Sequence, residues 1–179
     1  IMISHDTGIY KLENETIQKI GQENGFWKIT KINNKQGWYL ASNYNGLYLI
    51  QKQQQSWRII NKIKGFEEST RDIIADSQKD TYWICHGYKG VYKIHIDPNY
   101  SRIESVDHFT NKNGFQSAYN INVFKWNNKI VFTTNTGIYA CNNATNRFEK
   151  YSPLNTIFNQ RQNTRKLLQK NNRTWFIQD

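Results

Sequence analysis

This chain is poor in cysteine and empty of the common catalytic motifs. Its two cysteines, Cys85 and Cys141, lie far apart in sequence, and each reads as a small side chain packed on a strand. A bridge between them would require Cα atoms within about 7 Å, so two unbridged thiols are expected and the redox compartment stays open. His5, His86, His95 and His108 show no His-x-x-x-His spacing and the cysteines no Cys-x-x-Cys, which argues against a metal site. Neither a Gly-x-Ser-x-Gly elbow nor a P-loop nor a Rossmann glycine pattern occurs, and no cofactor is implied. The acidic pair Glu67-Glu68 could be half of a glycosidase couple but reads more simply as a solvated loop. No secretory h-region and no apolar run long enough to span a bilayer are present, so a targeting or membrane segment would have to lie outside these residues. No segment carries a sustained helical stripe, and no helix is expected.

Acidic residues are also scarce, 14 against 24 basic ones, for a net charge of +10. The positive residues are scattered over alternating strand positions, and the abundance of Asn, Lys and Gln has the look of a compositional bias. Nucleic acid is therefore not expected as a partner of this segment. Arg161, Arg165, Lys166, Lys170 and Arg173 form the one denser basic cluster. The Asn-x-Ser/Thr triplets at Asn14, Asn99, Asn143 and Asn172 are what chance gives in so Asn-rich a chain.

What the chain does contain is a repeat. Gly8-Ile9-Tyr10, Gly46-Leu47-Tyr48, Gly90-Val91-Tyr92 and Gly137-Ile138-Tyr139 recur at spacings of 38, 44 and 47 residues (46−8, 90−46, 137−90). Seven positions ahead of each glycine stands a large apolar residue: Ile1, Tyr39, Trp83 or Ile130. Between the two marks run a short β-rich segment and turn residues that tolerate positive φ, so each copy predicts a β-hairpin. Apolar runs with strand periodicity flank the hairpins, as in Trp27–Ile32 before the second copy and Trp57–Ile60 after it. Four antiparallel strands about every 45 residues predict all-β blades of a β-propeller. The best helical candidate, Arg165–Gln169, reads more simply as the first strand of a further copy.

The stretch Arg71–Asp76, then Thr81–His86, then Gly90–Lys93, resembles the repeat of the two-component regulator propeller family, as do the steps Gly65-Phe66-Glu67-Glu68-Ser69 and Gly114-Phe115-Gln116-Ser117. The chain departs from that pattern where Cys85-His86 and Thr133-Thr134 replace the usual Gly-Thr and where Ile130 replaces the tryptophan. The resemblance implies the extracytoplasmic, periplasmic sensor region of a Bacteroidetes hybrid two-component system or related transcriptional regulator, with signal transduction to an output domain elsewhere. On this reading residues 1–179 are one propeller segment: a partial blade over 1–20, blades over about 26–61, 71–109 and 118–151, and the start of another over 164–179. Closed propellers need roughly 4 to 8 blades, so a fragment of a larger propeller is expected. The aromatic content of 15% suits wedges between blades filled by rings.

In an up-and-down blade the turn between strands two and three points the same way as the connection into the next blade. Those loops are expected to form one rim that carries recognition. It would present Asn43, Tyr44 and Asn45; Glu68, Ser69 and Arg71; His86, Tyr88 and Lys89; and Gln116, Ser117, Tyr119 and Asn120. Aromatic faces beside amides and hydroxyls suit an oligosaccharide, with Tyr44, Tyr88 and Tyr119 stacking and Arg71 or Lys89 reaching a carboxylate or sulfate. The leading expectation is a ligand-binding sensor segment that is not itself an enzyme. A propeller polysaccharide lyase or glycosidase, and a protein-association scaffold able to form a homodimer, are the alternatives.

Overall fold

A computed structural model describes residues 1–33, 35–156, 164–170 and 173–178, with only the backbone for 164–170 and 178. Arg161 of the basic cluster and Asn172 of the last triplet lie outside the described residues, as do the side chains of Arg165, Lys166 and Lys170.

The strands fall into five antiparallel sheets in which sequence neighbours pair. The first holds β1 (Met2–His5), β2 (Gly8–Glu13) and β3 (Thr16–Ile20). The second holds β4 (Phe26–Lys31), β5 (Trp38–Asn43), β6 (Gly46–Gln53) and β7 (Ser56–Lys62). The third is β8 (Asp72–Ala75), β9 (Thr81–His86), β10 (Gly90–Ile96) and β11 (Ile103–Phe109). The fourth is β12 (Asn122–Trp126), β13 (Lys129–Thr134), β14 (Gly137–Asn142) and β15 (Arg147–Lys150). A two-stranded sheet follows, β16 (Thr164–Lys170) with β17 (Arg173–Gln178), where the sequence pointed to a strand rather than a helix. By contacts the chain groups into two compact units, Ile1–Ile84 with Lys93–Val106 and Cys85–Tyr92 with Asp107–Asp179.

Burial follows position in the sheet. Every residue of β9, a second strand, is buried, whereas the fourth strand β11 is exposed or half-buried until Phe109. A strand buried on both faces reads as a continuous apolar run and one at the sheet margin as polar, which is the contrast between Tyr82-Trp83-Ile84-Cys85 and Glu104-Ser105-Val106-Asp107. The four Gly-aliphatic-Tyr marks open β2, β6, β10 and β14, each directly after the hairpin turn. Their aliphatic residues Ile9, Leu47, Val91 and Ile138 are all buried.

Each unit has its own core. In the first, Ile9, Ile20, Phe26, Ala41 and Ile50 pack together with Ile29, Tyr39, Tyr48 and Trp57 against them. In the second, Phe124, Val131, Ile138 and Leu154 form one cluster. Beside them Phe115 stacks on Phe148 at 4.1 Å and meets Phe132 and Tyr139 at 6.1 and 5.5 Å between ring centroids. These rings fill the interior as the aromatic content led one to expect.

Two short helical turns interrupt the strands. A 3-10 turn at Asn111–Asn113 is set by Thr110, whose hydroxyl accepts from the Lys112 N–H while the Asn113 side chain accepts from the Thr110 N–H. The single turn α1 (Ser152–Asn155) has Pro153 in its first positions. Neither is long enough to leave a 3.6-residue period, so the sequence shows no stripe there.

Asp76 ties the third sheet together within the first unit. Its carboxylate accepts from the Trp83 indole N–H, the Gln78 backbone N–H and the Ser77 hydroxyl, and Lys93 Nζ lies 3.6 Å away and 5.1 Å from the Trp83 ring. Burial pushes this carboxyl up, but the Gln78 N–H, the Lys93 ammonium and the Trp83 and Ser77 donors outweigh it and hold it below its ordinary value. A carboxyl lowered on folding contributes stability above its unfolded-state pKa, and that contribution is lost as pH falls through the folded one. Unfolding free energy measured from neutral pH into acid should therefore fall less steeply in Asp76→Asn than in the native protein, and parallel curves would show that Asp76 has no such linkage.

Candidate functional site

The hairpin turns owe their shape to one position that hydropathy does not reveal. The last residue of the strand before each hairpin turn is His5, Asn43, His86 or Thr134, and in all four the side chain accepts a hydrogen bond from the turn backbone. His5 Nδ1 accepts from Thr7 N–H at 3.2 Å, Asn43 Oδ1 from Asn45 N–H at 3.1 Å and Thr134 Oγ1 from Thr136 N–H at 3.1 Å. His86 Nδ1 accepts two, from Tyr88 N–H at 3.0 Å and Lys89 N–H at 3.2 Å. Side chains with a lone pair at this reach replace a backbone acceptor in the turn.

Each turn is also tied to the loop that leads into a following strand. Gly25 N–H donates to the Asp6 carbonyl at 2.6 Å, Thr70 N–H to the Asn43 carbonyl at 2.9 Å and Asn120 N–H to the Gly87 carbonyl at 3.4 Å. At the fourth sheet the Asn155 side chain does this work, with its amide oxygen accepting from Ile138 N–H and its amide nitrogen donating to the Ile138 carbonyl. Turn and loop are thus held side by side by hydrogen bonds in both units.

In the first unit this brings Asn43, Tyr44 and Asn45 beside the loop that carries Glu68, Ser69 and Arg71. Asn43 is buried and donates through Nδ2 to the Asn24 carbonyl, so it serves the turn from beneath. Tyr44 is 46% exposed, and its hydroxyl donates to Asp6 Oδ1 at 2.8 Å, which holds the phenol above its ordinary pKa. Its ring meets Trp27 edge to face at 4.9 Å and lies over Gly25, where an added Cβ would come within 2.3 Å of the ring. Glu68, Ser69 and Arg71 are half-buried. Trp27 and Asp6 belong to this surface and escaped the sequence reading. Gly25-Phe26 is a third Gly-Phe step, but it leads straight into β4 without the spacer found after Phe66 and Phe115. Asp6 stands two residues before its glycine, the same place as Tyr44 and Tyr88.

In the second unit the structure brings together Tyr88 and Tyr119. They are 74% and 59% exposed, with ring centroids 6.4 Å apart at 64°. Ser117 Oγ accepts from the Tyr119 N–H, and Asn120 adopts φ 53°, a left-handed conformation that asparagine tolerates. Lys89 and Gln116 are exposed and Ser117 half-buried. His86, at 8% exposed, lies under the turn with its ring 6.3 Å from that of Tyr88. His108, which the sequence did not assign to the rim, stacks flat on Tyr92 at 4.2 Å and donates through Nε2 to the Lys89 carbonyl.

A recess of about 370 Å³ in the first unit is lined by Met2, Lys11, Tyr39, Lys52 and Trp57, away from these turns. Among the described residues, no three His, Cys, Asp or Glu side chains gather as a metal site would require, and no helix is long and apolar enough to cross a membrane.

Four-stranded antiparallel meanders, repeated with their marks in register, define the blades of a β-propeller. Two solved structures from B. thetaiotaomicron share this fold. One is the extracellular domain of the putative one component system BT4673, with TM-score 0.73 and 16% identity over 99% of this chain and 24% of that one. The other is the extracellular domain of the putative hybrid two component system BT4673, with TM-score 0.71 and 14% identity over 99% of this chain and 25% of that one. The chain spans about a quarter of the length of these structures. No family model matches the chain, and no curated protein does. This likeness of fold agrees with the propeller blades read from the sequence.

Proposed function

We propose that this chain is a ligand-binding segment of the extracytoplasmic sensor propeller of a two-component or related transcriptional regulator, and that its turns recognise an oligosaccharide. Further blades and an output domain would complete the protein, with the segment itself non-enzymatic and periplasmic. The observation that carries the reading is the pair Tyr88 and Tyr119, two large exposed rings whose own backbone N–H groups are held by His86 and Ser117. Exposed aromatic groups on a rigid turn can stack on sugar rings at small entropic cost. Lys89 and Gln116 beside them supply a cation for a carboxylate or sulfate and an amide for hydroxyls. The Tyr44 and Trp27 surface of the first unit offers the same chemistry. The likeness to extracellular domains of regulators supports the sensor reading and the location outside the cytoplasm.

Calorimetric titration of the full-length protein with uronate-containing, sulfated and neutral oligosaccharides tests this. One acidic class should bind, and Tyr88→Ala with Tyr119→Ala should weaken it roughly a hundredfold, about a tenfold loss per anchoring ring. Unchanged affinity in a folded double variant would remove these turns from recognition. Turnover of an offered polysaccharide would place the protein among propeller enzymes instead.

A further inference from the structure

We infer that His86 is a positioning residue for the recognition surface, holding Tyr88 and Lys89 in place only while its Nδ1 carries no proton. The ring lies beneath the turn, and Nδ1 accepts from two successive backbone N–H groups, so this nitrogen must present its lone pair and the proton of the neutral ring sits on Nε2. Protonation turns Nδ1 into a third donor aimed at two others. Both hydrogen bonds are then lost together, and two amides next to a buried ring lose their acceptor.

The equivalent positions show that this sensitivity is specific to the residue. Asn43 and Thr134 hold their turns through oxygens that do not titrate in the neutral range, and His5 does the same as His86 but from an exposed ring and for a single N–H. Lys89 and the Tyr88 and Tyr119 hydroxyls belong to the surface it supports. His108 donates to the Lys89 carbonyl through Nε2 and keeps that bond in either protonation state. Acidification therefore acts on this turn through His86. The consequence for ligand binding rests on the function proposed above; the behaviour of the turn rests on its hydrogen bonds alone.

Hydrogen exchange of the full-length protein, read by mass spectrometry and corrected for intrinsic rates, separates the two. In the native protein the segment 87–92 should lose about tenfold in protection between about pH 7.5 and pH 5.5. The segment 44–49, braced by Asn43, should keep its protection and serves as the internal control. In His86→Asn, which installs the acceptor that Asn43 already uses, the loss over 87–92 should fall below about threefold. Undiminished protection of 87–92 at low pH in the native protein would overturn the inference, as would an equal loss in His86→Asn. A pH-sensitive turn in a protein that binds no oligosaccharide would defeat only the functional reading.

Discussion

Replacing Phe115 by alanine is expected to destabilise the protein by about 4 kcal/mol, within the range for a buried phenylalanine truncated to alanine. The ring is 3% exposed and is the hub of the aromatic cluster in the second unit, stacked on Phe148 and touching Phe132 and Tyr139 from three different strands. Neighbouring rings can close over the gap only by leaving their own contacts, so little of the loss is recovered by relaxation. Tyr119→Ala, four residues on but exposed, should change stability by less than about 0.5 kcal/mol, as surface substitutions do. Urea unfolding of both variants checks the contrast. A Phe115→Ala loss under about 1 kcal/mol, where truncating a buried ring normally costs several times that, would mean that the ring does not fill a wedge.

The second large effect is expected at the glycines of the repeated mark. Gly90 has φ 90°, and a Cβ there would lie 2.3 Å from the carbonyl oxygen of Phe109. Alanine must both hold a left-handed backbone, at about 1–3 kcal/mol, and displace a strand end fixed in the sheet. Gly8 has φ 143°, but its added Cβ would meet the Lys19 side-chain end first, at 2.5 Å, and that chain can swing away. Gly90→Ala should thus lower the melting temperature clearly more than Gly8→Ala. Equal shifts would mean that backbone conformation alone, and not close approach to Phe109, selects glycine at the mark.

This mark was the part of the fold most legible in the sequence, because a glycine with positive φ followed by a buried aliphatic residue is demanded by the hairpin itself. The strands followed from it, including β16, whose apolar pair Leu167-Leu168 could have been taken for a helix. Less legible was what holds the turns. His5, Asn43, His86 and Thr134 share neither size, charge nor hydropathy, and only a lone pair at the right reach unites them. Their common position, last in the strand before the hairpin turn, becomes visible once the four glycines are aligned. Of the residues expected at the rim, Tyr44, Tyr88, Lys89 and Tyr119 are exposed, whereas Asn43 and His86 lie buried and act on the backbone. Trp27 was hidden because its Gly-Phe step runs directly into a strand, and one helical turn at Ser152–Asn155 is too short to show a period.

Hydroxyl-radical footprinting of the full-length protein, with and without an acidic oligosaccharide selected by the titrations proposed above, tests most directly whether these turns form the recognition surface. Tyr88 and Tyr119 should lose most of their reactivity on binding, while exposed residues at the other ends of the strands, such as Gln54 and Pro98, keep theirs. Protection at those far ends with Tyr88 and Tyr119 unchanged would contradict it.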